Sequence, residues 1–195
     1  MKRQAEVRIP TQWGDFNMIA YADLDTELMP HVAMVHESCK VEAPVLVRIH
    51  SECMTGDIWG SRRCDCGRQL DKAMQLAAKE GGVLIYLRQE GRGIGIINKI
   101  KAYRLQDEGL NTIDANIHLG FDPDSRSYET AIAILRDLGI RSIRLMTNNP
   151  DKIQAFQDSG VDVVERVPLI IDPDQDNEAY LRTKQDQMGH LLNMK

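Results

Sequence analysis

The chain has 195 residues, 43% hydrophobic and 27% charged, which is the size and composition of one compact soluble domain. With 24 Lys and Arg against 29 Asp and Glu, its formal charge of -5 opposes polyanions, so a groove for nucleic acid would have to be local, and no nucleic-acid partner is expected. No apolar run approaches the about 20 residues of a membrane span, and the opening MKRQAEVRIP is charged where a signal peptide would be apolar; no membrane partner and a cytoplasmic setting are expected.

Alternating stretches from Glu6 to Ile9, Phe16 to Tyr21 and Val32 to Val35, separated by Trp13-Gly14-Asp15 and Met29-Pro30, predict an antiparallel meander leading into Val45-Leu46-Val47-Arg48-Ile49. From about Gln69 the period becomes helical, with Leu70, Ala73, Met74, Ala77 and Ala78 on one face and Gly81-Gly82 as the stop. Val83 to Leu87 is a short continuous apolar run suited to a buried strand. A second helix is predicted over Ile97 to Glu108, with Tyr103 on its face as a half-buried aromatic. A third starts near Asp124 or Ser125 as cap, carries Ala131, Ile134, Leu135 and Leu138, and ends at Gly139. Strand Ile143 to Met146 leads to Thr147-Asn148-Asn149-Pro150, where Asn149 caps a helix with Pro150 in first position; that helix runs to Gly160, before strand Val161 to Val164. Asn177 to Lys195 reads as a polar helix with an exposed tail, and Trp13, Trp59 and the scattered methionines read as packing residues. The fold class is therefore mixed α/β, with antiparallel N-terminal strands joined to an α/β layered part. Neither repeats, low-complexity segments nor long linkers divide residues 1–195, so a single domain is expected.

Four cysteines in a reducing compartment are poor material for disulfides. Cys53, Cys64 and Cys66 supply three soft ligands, which suits a hydrolytic metal site that keeps a fourth position open for water. Two other readings stand beside this one. The three can be small buried side chains in a core, or Cys39 can complete a closed structural site. His50-Ser51-Glu52-Cys53 also resembles the His-x-Glu of the zinc deaminases, although Cys-x-Cys stands where Pro-Cys-x-x-Cys is needed; Glu52 beside a metal site suits acid-base work on either reading.

Gln89-Glu90-Gly91-Arg92-Gly93-Ile94-Gly95 follows a predicted buried strand and lets the backbone approach a ligand. Asn98 stands where a dinucleotide fingerprint needs its third glycine, and no Gly-x-x-x-x-Gly-Lys-Ser/Thr occurs, so neither Rossmann nor P-loop chemistry is supported. Taken together, Arg48-Ile49-His50-Ser51-Glu52-Cys53, Thr55-Gly56-Asp57, Arg63-Cys64-Asp65-Cys66-Gly67, Arg88-Gln89-Glu90-Gly91-Arg92-Gly93-Ile94-Gly95 and Thr147-Asn148-Asn149-Pro150 closely resemble GTP cyclohydrolase II, the enzyme that opens riboflavin biosynthesis, from about Glu6 to Leu192.

The resemblance implies a GTP cyclohydrolase II-like fold without the dihydroxybutanone phosphate synthase domain that some relatives carry ahead of it. It implies that zinc on Cys53, Cys64 and Cys66 delivers water to C8 of guanine, that a second hydrolysis releases formate, and that the product is 2,5-diamino-6-ribosylamino-4(3H)-pyrimidinone 5′-phosphate. It places Arg48, Ile49, His50, Ser51, Glu52, Gln69, Glu90, Gly91, Arg92, Thr112, Thr147 and Lys152 at GTP, with Mg²⁺ on the triphosphate. Arg126 is implied as the nucleophile toward the α-phosphate, releasing pyrophosphate, with Asp124 as its orienter or proton acceptor; a guanidinium is a poor nucleophile, so a clamp on the phosphoryl group is the alternative role. Tyr103 is implied to organise water at the zinc, and a homodimer is the family expectation.

Overall fold

A computed structural model describes residues 1–122 and 124–194. These form two compact units whose segments alternate along the chain: Met1–His50, Leu70–Arg88 and Tyr128–Leu169 in the first, with 51–69, 89–127 and the chain from Ile170 onward in the second.

The first unit is built on a seven-stranded sheet of β1 (Lys2–Thr11), β2 (Gly14–Ala22), β3 (His31–His36), β4 (Val45–Ser51), β5 (Val83–Leu87), β6 (Ser142–Met146) and β7 (Asp162–Val167), in the order β1-β2-β3-β5-β4-β6-β7. The pairs β1 with β2, β2 with β3 and β3 with β5 are antiparallel, whereas β4 with β6 and β6 with β7 are parallel. The antiparallel N-terminal meander is present, but it continues into β5 and not into Val45–Ile49. The chain leaves β4, and the returning strand β5 takes the place between β3 and β4.

Helices cover this sheet on both faces, which explains the unbroken apolar runs of its central strands. Val45, Val47 and Ile49 of β4 and Val83, Ile85 and Leu87 of β5 face one layer with Ala131, Ile134 and Leu135 of α5 (Glu129–Asp137). Leu46 and Leu84 point the other way, onto Ala73, Met74 and Ala77 of α2 (Cys66–Glu80). Each fully buried Ile or Leu in such a layer contributes about 1.5–3 kcal/mol. The helical stripe from Leu70 to Ala78 thus packs as its period predicts, and Met74 and Met146 are core residues while Met29 is exposed.

Several sequence expectations shift. The helix carrying Ala131 starts at Glu129, not at Asp124 or Ser125, because the Asp124 carboxylate accepts from the Arg126 backbone N–H and guanidinium and closes a turn of its own. The helix opened by Asn149, α6 (Pro150–Gln154), gives way to turns well before Gly160. Trp59 is 74% exposed and packs no core, whereas Trp13 lies against the layer of Phe16 and Leu46.

The second unit holds α1 (Met54–Asp57), a 3-10 turn at Glu90–Gly93, α3 (Gly95–Asp107), α4 (Thr112–His118) and α7 (Glu178–Met188), together with the first turn of α2. The sequence reading contains neither α1 nor α4, which are too short to show a period; α4 has a cap signal in Asn111, whose Oδ1 accepts from the Ile113 and Asp114 N–H groups at 2.9 Å. The predicted polar C-terminal helix is there, but Leu181 and Leu192 are buried, so the segment is anchored and its tail is not simply exposed; Lys195 lies outside the described residues. Among the described residues no helix is long and apolar enough to cross a membrane.

Candidate active site

The centre of the second unit is a group of three thiols. Cys53 ends the strand-to-helix connection as N-cap of α1; its carbonyl accepts from Gly56 N–H and Asp57 N–H, and its own N–H donates to Asp57 Oδ2 at 2.9 Å. Cys66 opens α2, and Cys64 stands two positions before it, across Asp65. What lets these pieces meet is a pair of glycines. A Cβ on Gly67 would stand 2.2 Å from the Gly56 carbonyl oxygen, and one on Gly56 would stand 3.0 Å from Cys64 Sγ.

The Cys53 and Cys64 sulfurs are 3.6 Å apart, and all three lie within 4.8 Å of one another. Tetrahedral thiolate ligation with bonds of about 2.3 Å needs sulfurs ~3.8 Å apart, so the group is nearly arranged for one ion and can bind a metal. Hydrogen bonds from the Cys64 and Cys66 thiols, aided by the Lys99 ammonium, hold the Cys53 thiol far below its ordinary range despite burial. The same sharing pushes Cys64 up to about 11 and Cys66 well above its ordinary value. Cys39 is not in the group; it packs against the sheet layer of the first unit. Neither is His50, whose ring stacks on Tyr86 with centroids 5.4 Å apart, so among the described residues the candidate group is made of cysteines alone and the deaminase pattern is not reproduced.

Two buried charges beside the sulfurs complete the centre. Lys99 of α3 donates to Cys53 Sγ at 3.1 Å and to Glu90 Oε1 at 2.7 Å. Glu90 also accepts from Met54 N–H through Oε2 at 2.6 Å and from Gly91 N–H at 2.7 Å. Burial works against the Lys99 charge, but the Cys53 thiolate, Tyr103 and Glu90 raise its pKa and keep it an ammonium. The sequence reading places Glu90 here for a different reason and misses Lys99 altogether.

Tyr103, one turn beyond Lys99, has its hydroxyl 3.4 Å from Thr55 Oγ1, which is itself 3.7 Å from Cys53 Sγ. Burial raises the Tyr103 pKa, so the phenol stays protonated, and the Arg63 guanidinium lies 5.1 Å from its ring centroid. Glu52, directly before Cys53, is buried. Gln69 donates to Asp65 Oδ2, and Ser51 Oγ accepts from Gln89 at 2.8 Å.

The glycine-rich loop is a strained turn. Gly91 and Arg92 are both left-handed, at φ 63°, and Arg92 has no glycine's freedom to be there. The Arg92 carbonyl accepts from Ser125 N–H at 3.2 Å, which brings the segment of Asp124 and Arg126 against this turn. Arg126 donates to Asp124 Oδ1 through Nε at 2.8 Å and through its backbone N–H at 3.1 Å, and pairs with Oδ2. Burial would raise the Asp124 pKa; the hydrogen bonds and charge of Arg126 outweigh it and lower it. Thr112 is half-buried as the first residue of α4.

The remaining predicted residues belong to the first unit, where they gather at the carboxyl ends of the parallel strands β4 and β6. That is the usual ligand end of an α/β sheet. Arg48 donates to the Met146 carbonyl at 3.0 Å, and Lys152 donates to the Ile49 carbonyl at 2.8 Å. The Ile49 side chain is in the core, and Thr147 Oγ1 accepts from Asn149 N–H at 3.0 Å. Lys152 and Arg48 are thus buried cations at strand ends, held by carbonyls.

Fold and centre together define a mixed α/β protein with a largely buried three-cysteine group able to bind a metal. Residues 2–168 match the family profile described as GTP cyclohydrolase II, and the chain belongs to that family. It is 51% identical over 189 residues to a GTP cyclohydrolase-2 of Neisseria gonorrhoeae, covering 96% of this chain and 95% of that relative. It is also 51% identical over 193 residues to the riboflavin biosynthesis protein RibBA of Chlorobium phaeovibrioides and 52% identical over 194 residues to that of Bacillus cereus. In both comparisons 98% of this chain is covered, and it spans about half the length of the relative, 47% and 48%.

Proposed function

We propose that the protein is a zinc-dependent GTP cyclohydrolase II that opens the imidazole ring of GTP and releases formate and pyrophosphate. The product would be 2,5-diamino-6-ribosylamino-4(3H)-pyrimidinone 5′-phosphate, made at the start of riboflavin biosynthesis. The observation that carries this reading is the all-thiolate group of Cys53, Cys64 and Cys66 in a chain of this family, with a protonated phenol and a buried ammonium beside it. Zinc held by those three thiolates would supply the Lewis acidity that makes hydroxide available near neutral pH.

The chain's own residues divide the remaining work. Tyr103, kept protonated by burial and linked to the centre through Thr55, orients water there and gives a proton to the departing nitrogen. Glu52, adjacent in sequence to Cys53, takes and returns protons. Arg48, Ile49, His50, Ser51, Glu52, Gln69, Glu90, Gly91, Arg92, Thr112, Thr147 and Lys152 are assigned to GTP binding, with Mg²⁺ on the triphosphate offsetting its charge against a protein of net -5. Glu90 acts on guanine indirectly, because Lys99, Met54 and Gly91 already occupy its carboxylate. Arg126 acts on the α-phosphate, as nucleophile or clamp, and Asp124 fixes its plane with a bidentate pair.

The interleaved segments of the two units and a family match that runs through both support one functional domain. A cytoplasmic homodimer is the accompanying expectation. The test is incubation of zinc-loaded protein with GTP and Mg²⁺, followed by mass spectrometry. Formate, pyrophosphate and the pyrimidine nucleotide together support the reading; a ring-opened nucleotide that keeps its formyl group limits the activity to the first hydrolysis, and unchanged GTP with zinc bound rejects it.

A further inference from the structure

The C-terminal segment lies beyond the family match, which ends at residue 168, and the sequence gives it no role. In the structure it supplies the counter-charge of the metal loop. Asp65, between two of the three cysteines, is 1% exposed, and its Oδ1 accepts from Lys184 of α7 at 2.8 Å. The Lys184 side chain is 12% exposed, and its ammonium stands 4.4 Å from the centroid of the Tyr180 ring, one turn earlier on the same helix. The other carboxylate oxygen of Asp65 accepts from the amide of Gln69. A single carboxylate therefore joins the turn that carries Cys64 and Cys66, the first turn of α2, and a helix more than a hundred residues away.

The same two segments exchange charge in the opposite direction. Arg62 pairs with Asp176, and Arg68 pairs with Asp174 at 3.1 Å and donates to the Asp172 carbonyl at 3.3 Å. Those contacts are exposed, and exposed ion pairs are worth little individually. The Asp65–Lys184 pair is different, since both members are nearly buried and removing one takes from the other a charge partner that water does not replace. Leu181 and Leu192, both buried, fix the segment that presents Lys184.

We propose that Lys184 is a positioning residue of the metal centre, holding Asp65, and through it the Cys64–Cys66 turn and the Gln69 amide, in the arrangement that retains the metal and receives the base. This rests on the zinc reading above. The experiment uses the full chain, with zinc content measured first and zinc release then followed with a chromogenic chelator for the parent, Lys184→Met, Lys184→Arg, Asp65→Asn and the Asp65→Asn/Lys184→Met double variant. Support of metal ligands from the surrounding shell is typically worth about 10–100-fold in affinity, so Lys184→Met should release zinc at least about tenfold faster and raise KM for GTP. Lys184→Arg should stay nearer the parent, and the double variant, with neither charge left unpaired, should recover part of the loss. Lys184→Met that melts earlier but releases zinc at the parent rate, with KM unchanged, overturns the proposal and leaves a purely structural tie. Should Lys184→Met fail to fold, the double variant decides: release at the parent rate overturns the proposal, and release faster than parent but slower than Asp65→Asn upholds it. Parent protein that takes up no zinc overturns the underlying reading, and the proposal with it.

Discussion

Lys99 Nζ stands 3.1 Å from the sulfur of Cys53 and is held there by Glu90, at 2.7 Å. Both side chains are nearly buried, at 10% and 9% exposure, so this is a charge triplet of thiolate, ammonium and carboxylate out of water. Three thiolates around a divalent ion carry an excess negative charge, and an ammonium on one sulfur relieves it. Lys99→Met should therefore weaken zinc binding by about 10–100-fold, measured by competition with a chelator of known affinity. Glu90→Gln should follow it in part, because the amide leaves Lys99 with the Cys53 thiolate but without its carboxylate partner. Zinc affinity unchanged in Lys99→Met would show that the ammonium serves packing alone.

The closest approach in the centre is backbone to backbone. A methyl group on Gly67 would meet the Gly56 carbonyl at 2.2 Å, and neither atom belongs to a flexible side chain that can move aside. Gly67→Ala must push α1 and α2 apart, an overpacking cost of about 1–3 kcal/mol or more, and it separates Cys53 from Cys66 as it does so. We expect a lower melting temperature and loss of zinc together. Gly60→Ala is the control: Gly60 is also left-handed, at φ 62°, but open space surrounds it, so this change should cost about 1 kcal/mol of backbone strain with zinc retained.

The difference between Cys53 and Lys99 shows how far the sequence can be read. Cysteines are rare, and three within fourteen positions point to a metal site as one reading before the fold is known. A lysine on a helix reads as surface, and only tertiary structure reveals that its ammonium is captured between a thiolate 46 positions away and a carboxylate 9 positions away. One signal was available. Lys99 and Tyr103 are four apart on α3, so a helix that turns Tyr103 toward the cysteines turns Lys99 there too. Tyr180 and Lys184 repeat that spacing on α7. The central strands are legible because burial on both faces leaves an unbroken apolar run, but their order is not: β3 pairs with β5 over an intervening strand and two helices, and no local pattern encodes that choice.

His190 gives the C-terminal segment a pH signature. Burial, helped by the charges of Lys184, Arg126 and Arg92, pushes its pKa down to about 4 from an ordinary value near 6.5. Between those values the unfolded chain binds a proton that the folded chain does not, so stability rises with pH through the window and is lost as pH falls from about 6.5 toward 4. Melting temperatures across this range should therefore fall on acidification, and the slope should be shallower in His190→Gln. Equal slopes for parent and variant would mean that other groups carry the acid sensitivity.

Arg126 and Asp124 separate the two halves of the proposed reaction. Their bidentate pair holds the guanidinium beside the left-handed turn at Arg92, and on the proposed reading the phosphoryl and ring-opening steps use different side chains. Arg126→Ala should abolish pyrophosphate release while zinc content stays at the parent level; Asp124→Asn, which keeps the shape but weakens the pair, should slow that release by about 10- to 100-fold, as expected for a charged hydrogen bond worth about 1.5–3 kcal/mol. Tyr103→Phe should instead spare zinc and lose formate. Rapid quenching with GTP labelled on the α-phosphate then distinguishes the two roles of Arg126: label trapped on the protein identifies a nucleophile, and its absence during a productive single turnover identifies a clamp. Formate released at the parent rate by Tyr103→Phe would remove the phenol from the mechanism and leave Glu52 as the nearest proton carrier in sequence to Cys53.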